Sequence, residues 1–194
     1  MKWLANRFGA TKMFRNAALI DGVVTDLDDS CVQPNAVDLR LDTVQRIADS
    51  NFILVSSRHQ DDARFKLTRD MQNIEPVPWN STNFFHKMGK YAGLGSYKSM
   101  FELEQGSYQF ETKHEVTIPE GMAGWLIARS TLNRNGIFIT SGLYDSGFSN
   151  FIGGVMHVMT GHAKIERGAR IAQFILADAE TAHLYDGQYN AAKT

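Results

Sequence analysis

One cysteine, Cys31, stands alone in the chain, and this excludes an internal disulfide framework. With no second thiol near it, Cys31 reads as an inert packed side chain. No stretch reaches the length of about 20 apolar residues that a membrane-spanning helix needs. At the start, Met1-Lys2-Trp3-Leu4-Ala5-Asn6-Arg7-Phe8 mixes charge into its apolar residues before a signal sequence takes shape, so a cytoplasmic protein is expected. An excess of charge is missing as well. The formal net charge of −1 leaves no basic footprint, which argues against nucleic acid as the main partner. What remains is ordinary for a globular protein: 43% hydrophobic and 21% charged residues in a chain of 194, enough for one domain with a sizeable core.

The most informative stretch runs from residue 125 to 155. An apolar stub, Trp125-Leu126-Ile127, leads into Arg129-Ser130-Thr131, with Arg134 four residues after Ser130 and Gly136 as a break. Ile137-Phe138-Ile139-Thr140 has the β-branched and aromatic composition of a strand. Ser141-Gly142 then signals a turn into Tyr144-Asp145-Ser146-Gly147-Phe148, and a second apolar run follows from Phe151. The pattern is strand, polar turn, strand, carboxylate turn, strand. Two arginines and two hydroxyls close together suit phosphate oxygens, because guanidinium groups give charge-assisted, bidentate bonds and hydroxyls rotate to fit. A carboxylate beside phosphate makes sense where it holds a water or helps to hold a metal, so the set suits hydrolysis of a nucleotide polyphosphate. Taken singly, each piece has a plainer reading: Arg-Ser-Thr is a common solvated turn, and Asp-Ser-Gly a common tight one.

Elsewhere the chain reads as short strands. Scattered apolar residues over positions 1–20 suggest short helices. Asp26, Asp28 and Asp29 lack the offsets of a calcium loop and read as a solvated turn. Val37, Leu39 and Leu41 alternate with Asp38 and Arg40, placing Asp38 on the polar face of a strand. Its simplest role is as partner to Arg40 or another arginine. Ile53-Leu54-Val55 is a buried-strand candidate, and residues 56–94 then turn polar and irregular, an insertion in which His59 and Asp61 lack a third metal ligand. Alternation returns over Phe101–Leu103, Tyr108–Thr112 and Val116–Ile118, the strand spacing of a sandwich or barrel. Gly153-Gly154 interrupts the strand over 152–159, a sign of close backbone approach. His157 and His162 have no local carboxylate partner and read as structural or surface residues. Gln173, amid the apolar run 171–176, needs hydrogen-bond partners if it is buried.

The four pieces together resemble the dUTPase/dCTP deaminase superfamily, and within it the archaeal-type dUTPases. Gln33-Pro34-Asn35-Ala36-Val37-Asp38-Leu39-Arg40-Leu41 is similar to its first motif. Ala128-Arg129-Ser130-Thr131-Leu132 resembles the second, Gly142–Phe148 the third, and Gly168-Ala169-Arg170-Ile171-Ala172-Gln173 the fourth. The resemblance implies an all-β, distorted jelly-roll or β-barrel over residues 1–194, with short N-terminal helices, an insertion at about 56–94 and a tail from about 180 that closes over the site. It also implies a homotrimer with sites between subunits, and a Mg²⁺ ion on the nucleotide.

By the same resemblance, Asp145, Arg134 and Ser130 are the catalytic residues. Arg129, Ser130, Thr131, Thr140, Gly142, Phe148, Gln173, Tyr185 and Gln188 bind the substrate, and Asp38 touches the metal through water. The superfamily hydrolyses dUTP to dUMP and pyrophosphate, or deaminates dCTP with a glutamate as proton shuttle. Counted from Asp145, the glutamate position falls on Val155, and no Asp or Glu occurs before Glu166. Losing such a shuttle forfeits a factor of roughly 10² to 10⁴. dUTP hydrolysis is therefore expected, with a dCTP deaminase or a catalytically silent nucleotide-binding regulator as the alternatives. Ala169, Asn150 and the absence of a glycine-rich final motif depart from the common dUTPase pattern.

Overall fold

A computed structural model describes residues 14–47, 71–79, 98–159, 161–187 and 189–190. The described strands are, in chain order, β1 (Phe14–Arg15), β2 (Val37–Ile47), β3 (Met71–Asn73), β4 (Val77–Trp79), β5 (Lys98–Leu103) and β6 (Gly106–Thr117), followed by β7 (Met122–Ala128). A five-residue helix, α1 (Ser130–Arg134), precedes β8 (Ile137–Thr140), β9 (Ser149–Val158), β10 (Ala163–Glu166) and β11 (Arg170–Asp178). All their pairings are antiparallel. The larger sheet runs β1-β11-β2-β6-β9-β8, with β3 on β2 and β7 on β11, and β10-β5-β4 form a second sheet. This is the all-β jelly-roll architecture expected from the sequence.

Alternation explains the longest strand. In β6, Tyr108, Phe110, Thr112, His114 and Val116 turn inward while Glu111, Lys113 and Glu115 face solvent. Leu39 and Leu41 of β2, Ile152 and Met156 of β9, and Ile171, Phe174 and Leu176 of β11 close the core around them. Removing this apolar surface from water is the main driving term, at about 25 cal/mol per Å².

Three expectations need refining. The described part of the N-terminal region holds strand β1 as well as one short helix, a 3-10 turn at Ala17–Leu19 capped by the Asn16 side chain, and residues 1–13 lie outside the described residues. Within the 56–94 stretch, 71–79 is not irregular: β3 pairs with β2 and β4 with β5, and Pro78 sits on β4, the edge strand of its sheet, where proline is tolerated. The remainder of 56–94, with Ile53-Leu54-Val55, His59 and Asp61, lies outside the described residues. The polar turn at Arg129–Arg134 is a short helix, in which Leu132 and Asn133 N–H groups both donate to the Arg129 carbonyl.

Candidate active site

Asp38 is where the sequence and the fold first diverge. Alternation does put it opposite Leu39 and Leu41, yet it is 0% exposed. The reason is coverage by β11 and the end of β7. Arg129 Nε lies 3.0 Å and Arg170 Nη1 3.4 Å from Asp38 Oδ2, and Gln173 Nε2 donates to Oδ1 at 3.3 Å. Register accounts for the meeting: Gln173 sits opposite Asp38 on β2 and opposite Ile127 on β7. Two cations against one carboxylate offset its desolvation, and removing one member of such a buried set costs about 3–5 kcal/mol. Of the two roles open to Asp38, arginine partner is the one the geometry displays. Arg40, the other candidate partner, turns instead to Asp28 at 2.8 Å. The Ser30 hydroxyl and then Arg40 hold the Asp28 carboxyl well below its usual range.

Arg129 therefore comes preloaded. Its Nε faces Asp38 and its Nη1 donates to the Arg170 carbonyl at 3.3 Å, leaving Nη2 without a partner among the described residues. The residues after it are free. Ser130, Thr131 and Arg134 are exposed on α1, and none has a side-chain hydrogen bond or ion pair among the described residues. Ser130 and Arg134 are one helical turn apart and so share a face. Arg129, Thr131, Arg170, Lys164 and His162 line a cleft of about 520 Å³ with Glu166 and several apolar residues. Gln173 opens on its other side into a cleft with Gln33, Pro34, Asn35 and Ala36.

Asp145 is elsewhere. It is exposed in the turn between β8 and β9 and lines a different cleft, of about 510 Å³, with Glu180, His183, Tyr185 and Asp186 of the tail. Among the described residues, no arginine lines that cleft. The tail folds back onto this turn. Thr181 meets the Ser146 hydroxyl at 2.6 Å, the Tyr185 N–H donates to the Ser146 carbonyl at 2.7 Å, and the Ser149 N–H donates to Asn190 Oδ1 at 2.8 Å. Gly147, at φ +86°, is tied to this contact: a Cβ there would meet Leu184 Cβ at 3.1 Å. Gln188 lies outside the described residues.

The hairpin that precedes Asp145 is partly open. Thr140 and Gly142 are exposed, and a Cβ on Gly142 would meet nothing within 4 Å, so packing within this chain does not require glycine there. Phe148 is only 6% exposed, and its ring packs on Tyr144 (5.0 Å between centroids) and edge-on with Tyr185 (5.7 Å). Burial pushes the Tyr144 hydroxyl up to about 12.

Sequence reading missed one constellation. His157 lies between two hydroxyls, Ser107 Oγ at 3.0 Å from Nδ1 and Thr140 Oγ1 at 3.2 Å from Nε2. The partners are fifty and seventeen residues away, and only the β6–β9–β8 register brings them together. As for metals, no group of three or more His, Cys, Asp or Glu side chains among the described residues is arranged to hold an ion. Asp38 is shielded by its arginines. The described residues do not fit a resident, protein-held metal.

Exposed hydroxyl and guanidinium groups on α1, carried by a curled antiparallel scaffold of this strand order, make this an all-β jelly-roll protein. The chain belongs to the dCTP deaminase-like family, whose profile matches residues 11–179. It is 28% identical over 182 residues to a probable deoxyuridine 5'-triphosphate nucleotidohydrolase of Halobacterium salinarum, covering 94% of this chain and 96% of that protein. It is 30% identical over 132 residues to a dUMP-forming dCTP deaminase of a Mycobacterium species, covering 66% of this chain and 57% of that one. A crystal structure of 2'-deoxycytidine 5'-triphosphate deaminase from Agrobacterium tumefaciens superposes with a TM-score of 0.57 at 18% identity, over 87% of this chain and 49% of that one, and supports the fold. Among the described residues, no helix is long and apolar enough to cross a membrane.

Proposed function

We propose that this chain hydrolyses dUTP to dUMP and pyrophosphate. The observation that carries the reading is the position of Val155. It lies on β9 directly opposite Thr140, the last residue of β8 before the candidate base-reading hairpin. A deaminase needs a proton-carrying group there, and valine has none. Neither β8 nor β9 contains a carboxylate. The Halobacterium relative, matched along nearly its whole length, bears a name for the same hydrolysis.

In this reading Arg134, Ser130, Thr131 and Arg129 hold the triphosphate oxygens, and Gln173 adds a contact from beside Asp38. Asp38 keeps Arg129 aimed and leaves its Nη2 for phosphate. Mg²⁺ arrives as part of the substrate, on the phosphate oxygens of the nucleotide. Asp145 orients a water and takes its proton as the water oxygen bonds to the α-phosphorus, and the bond from that phosphorus to the bridging oxygen breaks to release pyrophosphate. Backbone groups of Thr140 to Leu143 read the uracil edge, with Gly142 giving the base room. Tyr185 and Gln188 of the tail border the nucleotide, and Phe148 acts as the floor beneath Tyr144 and Tyr185. Most of the rate comes from positioning and charge neutralisation.

Asp145 and the arginines line separate clefts of one chain, so the working site is built between chains, as a homotrimer would provide. Incubation with dUTP and Mg²⁺ is expected to release pyrophosphate, with activity falling at least about 10²-fold in Asp145→Asn. The rival reading has one foothold, Glu111, which β6 places opposite Gly153 of β9. Ammonia released from dCTP, and lost in Glu111→Gln, would make this chain a deaminase instead.

A further inference from the structure

We propose that His157 sets the hydrogen-bond polarity of the Thr140 hydroxyl, so that one contact at the mouth of the hairpin serves either a pyrimidine carbonyl or a pyrimidine amino group. This rests on the reading of the Thr140–Leu143 hairpin as the base site. Thr140, Val155, His157 and Phe138 share the outer face of β8 and β9, and Ser107, Gln109 and Glu111 of β6 continue it. Along β6, Glu111 is the first charged residue on that face, opposite Gly153 and two cross-strand pairs beyond Val155, with Lys113 and Glu115 following. At the hairpin end, then, the polar groups are Gln109, opposite Val155, and the two hydroxyls with the imidazole between them.

A neutral imidazole has one N–H and one lone pair, whereas a hydroxyl donates or accepts as required. Two arrangements satisfy every member. In the first, Ser107 donates to Nδ1 and Nε2–H donates to Thr140 Oγ1; the Thr140 proton then points outward and meets a carbonyl oxygen. In the second, Nδ1–H donates to Ser107 and Thr140 donates to Nε2; the Thr140 oxygen then faces outward and accepts from an amino group. Moving between them needs only a change of tautomer, with the ring held at both ends by bonds of 3.0 and 3.2 Å. Uracil carries a carbonyl and cytosine an amino group at the same ring position. This contact therefore serves both bases, and dCTP competes with dUTP for it. Val155 opposite Thr140 neither adds a second polar contact nor opposes either arrangement.

The test is steady-state hydrolysis of dUTP with dCTP as competitor. In the wild type, dCTP is expected to inhibit competitively, with a Ki within about tenfold of the KM for dUTP. His157→Phe removes both bonds to the hydroxyls. KM for dUTP and Ki for dCTP then rise together by about tenfold while kcat changes less than about twofold. His157→Gln, which retains one donor and one acceptor on an amide, recovers most of the loss, as a merely space-filling role would not allow. Ser107→Ala, a milder change in case the phenylalanine variant folds poorly, shows a smaller rise in the same direction. Unchanged KM and Ki in His157→Phe, or no competition by dCTP at 100 times the KM, would overturn the inference while leaving dUTP hydrolysis intact. A wild-type chain inactive on dUTP would instead overturn the underlying function.

Discussion

Tyr144 carries its phenol beneath the hairpin, hydrogen-bonded to the Gly153 carbonyl and accepting the Gly153 N–H at 3.1 Å. Burial raises its pKa from 10.0 to about 12, and the Gly153 backbone bond opposes that rise without cancelling it. The consequence for stability has a definite sign. Below pH 10 both folded and unfolded chains hold the proton, so the contribution is fully present. Between 10 and 12 the unfolded chain ionises first, and stability falls by up to about 2–3 kcal/mol. Tyr144→Phe is expected to remove this alkaline slope from a denaturant titration repeated at several pH values, at a cost of about 1 kcal/mol at neutral pH for the lost hydrogen bond. A slope that survives the substitution would assign it to another group. None of this was legible in the sequence, where Tyr144 was only an aromatic beside Asp145. Asp38 was half legible: period-two alternation placed its strand and its side. Its complete burial depends on Arg129, at the N-cap of α1, and on Arg170 and Gln173 of β11, all more than 80 residues away in the chain.

The β8–β9 hairpin turns on two glycines. A Cβ on Gly153 would run into the carbonyl oxygen of Phe110, and one on Gly154 into the carbonyl oxygen of Thr140. The strands can approach this closely only because both positions lack side chains, and the Thr140 carbonyl, part of the candidate base reader, is held above Gly154 as a result. Gly154→Ala must push that carbonyl aside. Overpacking of this kind costs about 1–3 kcal/mol, or a fall of roughly 2–12 °C in Tm for a chain of this size. Thermal unfolding followed by circular dichroism measures it, and an unshifted Tm would show the strands free to separate. Here the sequence was more informative. A glycine pair inside an apolar run announced close approach, and strand composition with turn residues located β6, β8, β9 and β11 and the hairpins between them. The helix at Ser130–Arg134 escaped because five residues are too few to show a 3.6-residue period. β3 and β4 escaped because three-residue strands, one of them holding Pro78, are set by their partners β2 and β5 more than by their own composition.

At the scale of the whole molecule, the residues proposed for catalysis are divided between two clefts of one chain. The free guanidinium of Arg134 sits on α1, near the cleft that Arg129, Arg170 and Thr131 line. The Asp145 carboxylate borders another cleft, beneath a tail that contributes Glu180 and Asp186 and so disfavours a triphosphate there by like charge. Linear order could not reveal this separation, because Arg134 and Asp145 are close in sequence and read as one cluster. The homotrimer proposed above would resolve it by presenting the α1 side of one chain to the Asp145 turn of the next. That arrangement makes a prediction no single-chain site shares. Arg134→Ala and Asp145→Asn chains are each expected to be inactive on dUTP. Mixed and allowed to reassort, for example by co-expression with different tags, they form some interfaces in which the intact Arg134 of one chain faces the intact Asp145 of its neighbour. Random assembly in equal amounts makes about a quarter of the sites such pairs, so roughly a quarter of wild-type pyrophosphate release should return. If the two residues worked within one chain, every site would keep one defect and the mixture would stay as inactive as its parts. The doubly tagged fraction isolates the mixed assemblies, so a lack of activity there would count against a shared site and could not be put down to a failure to mix.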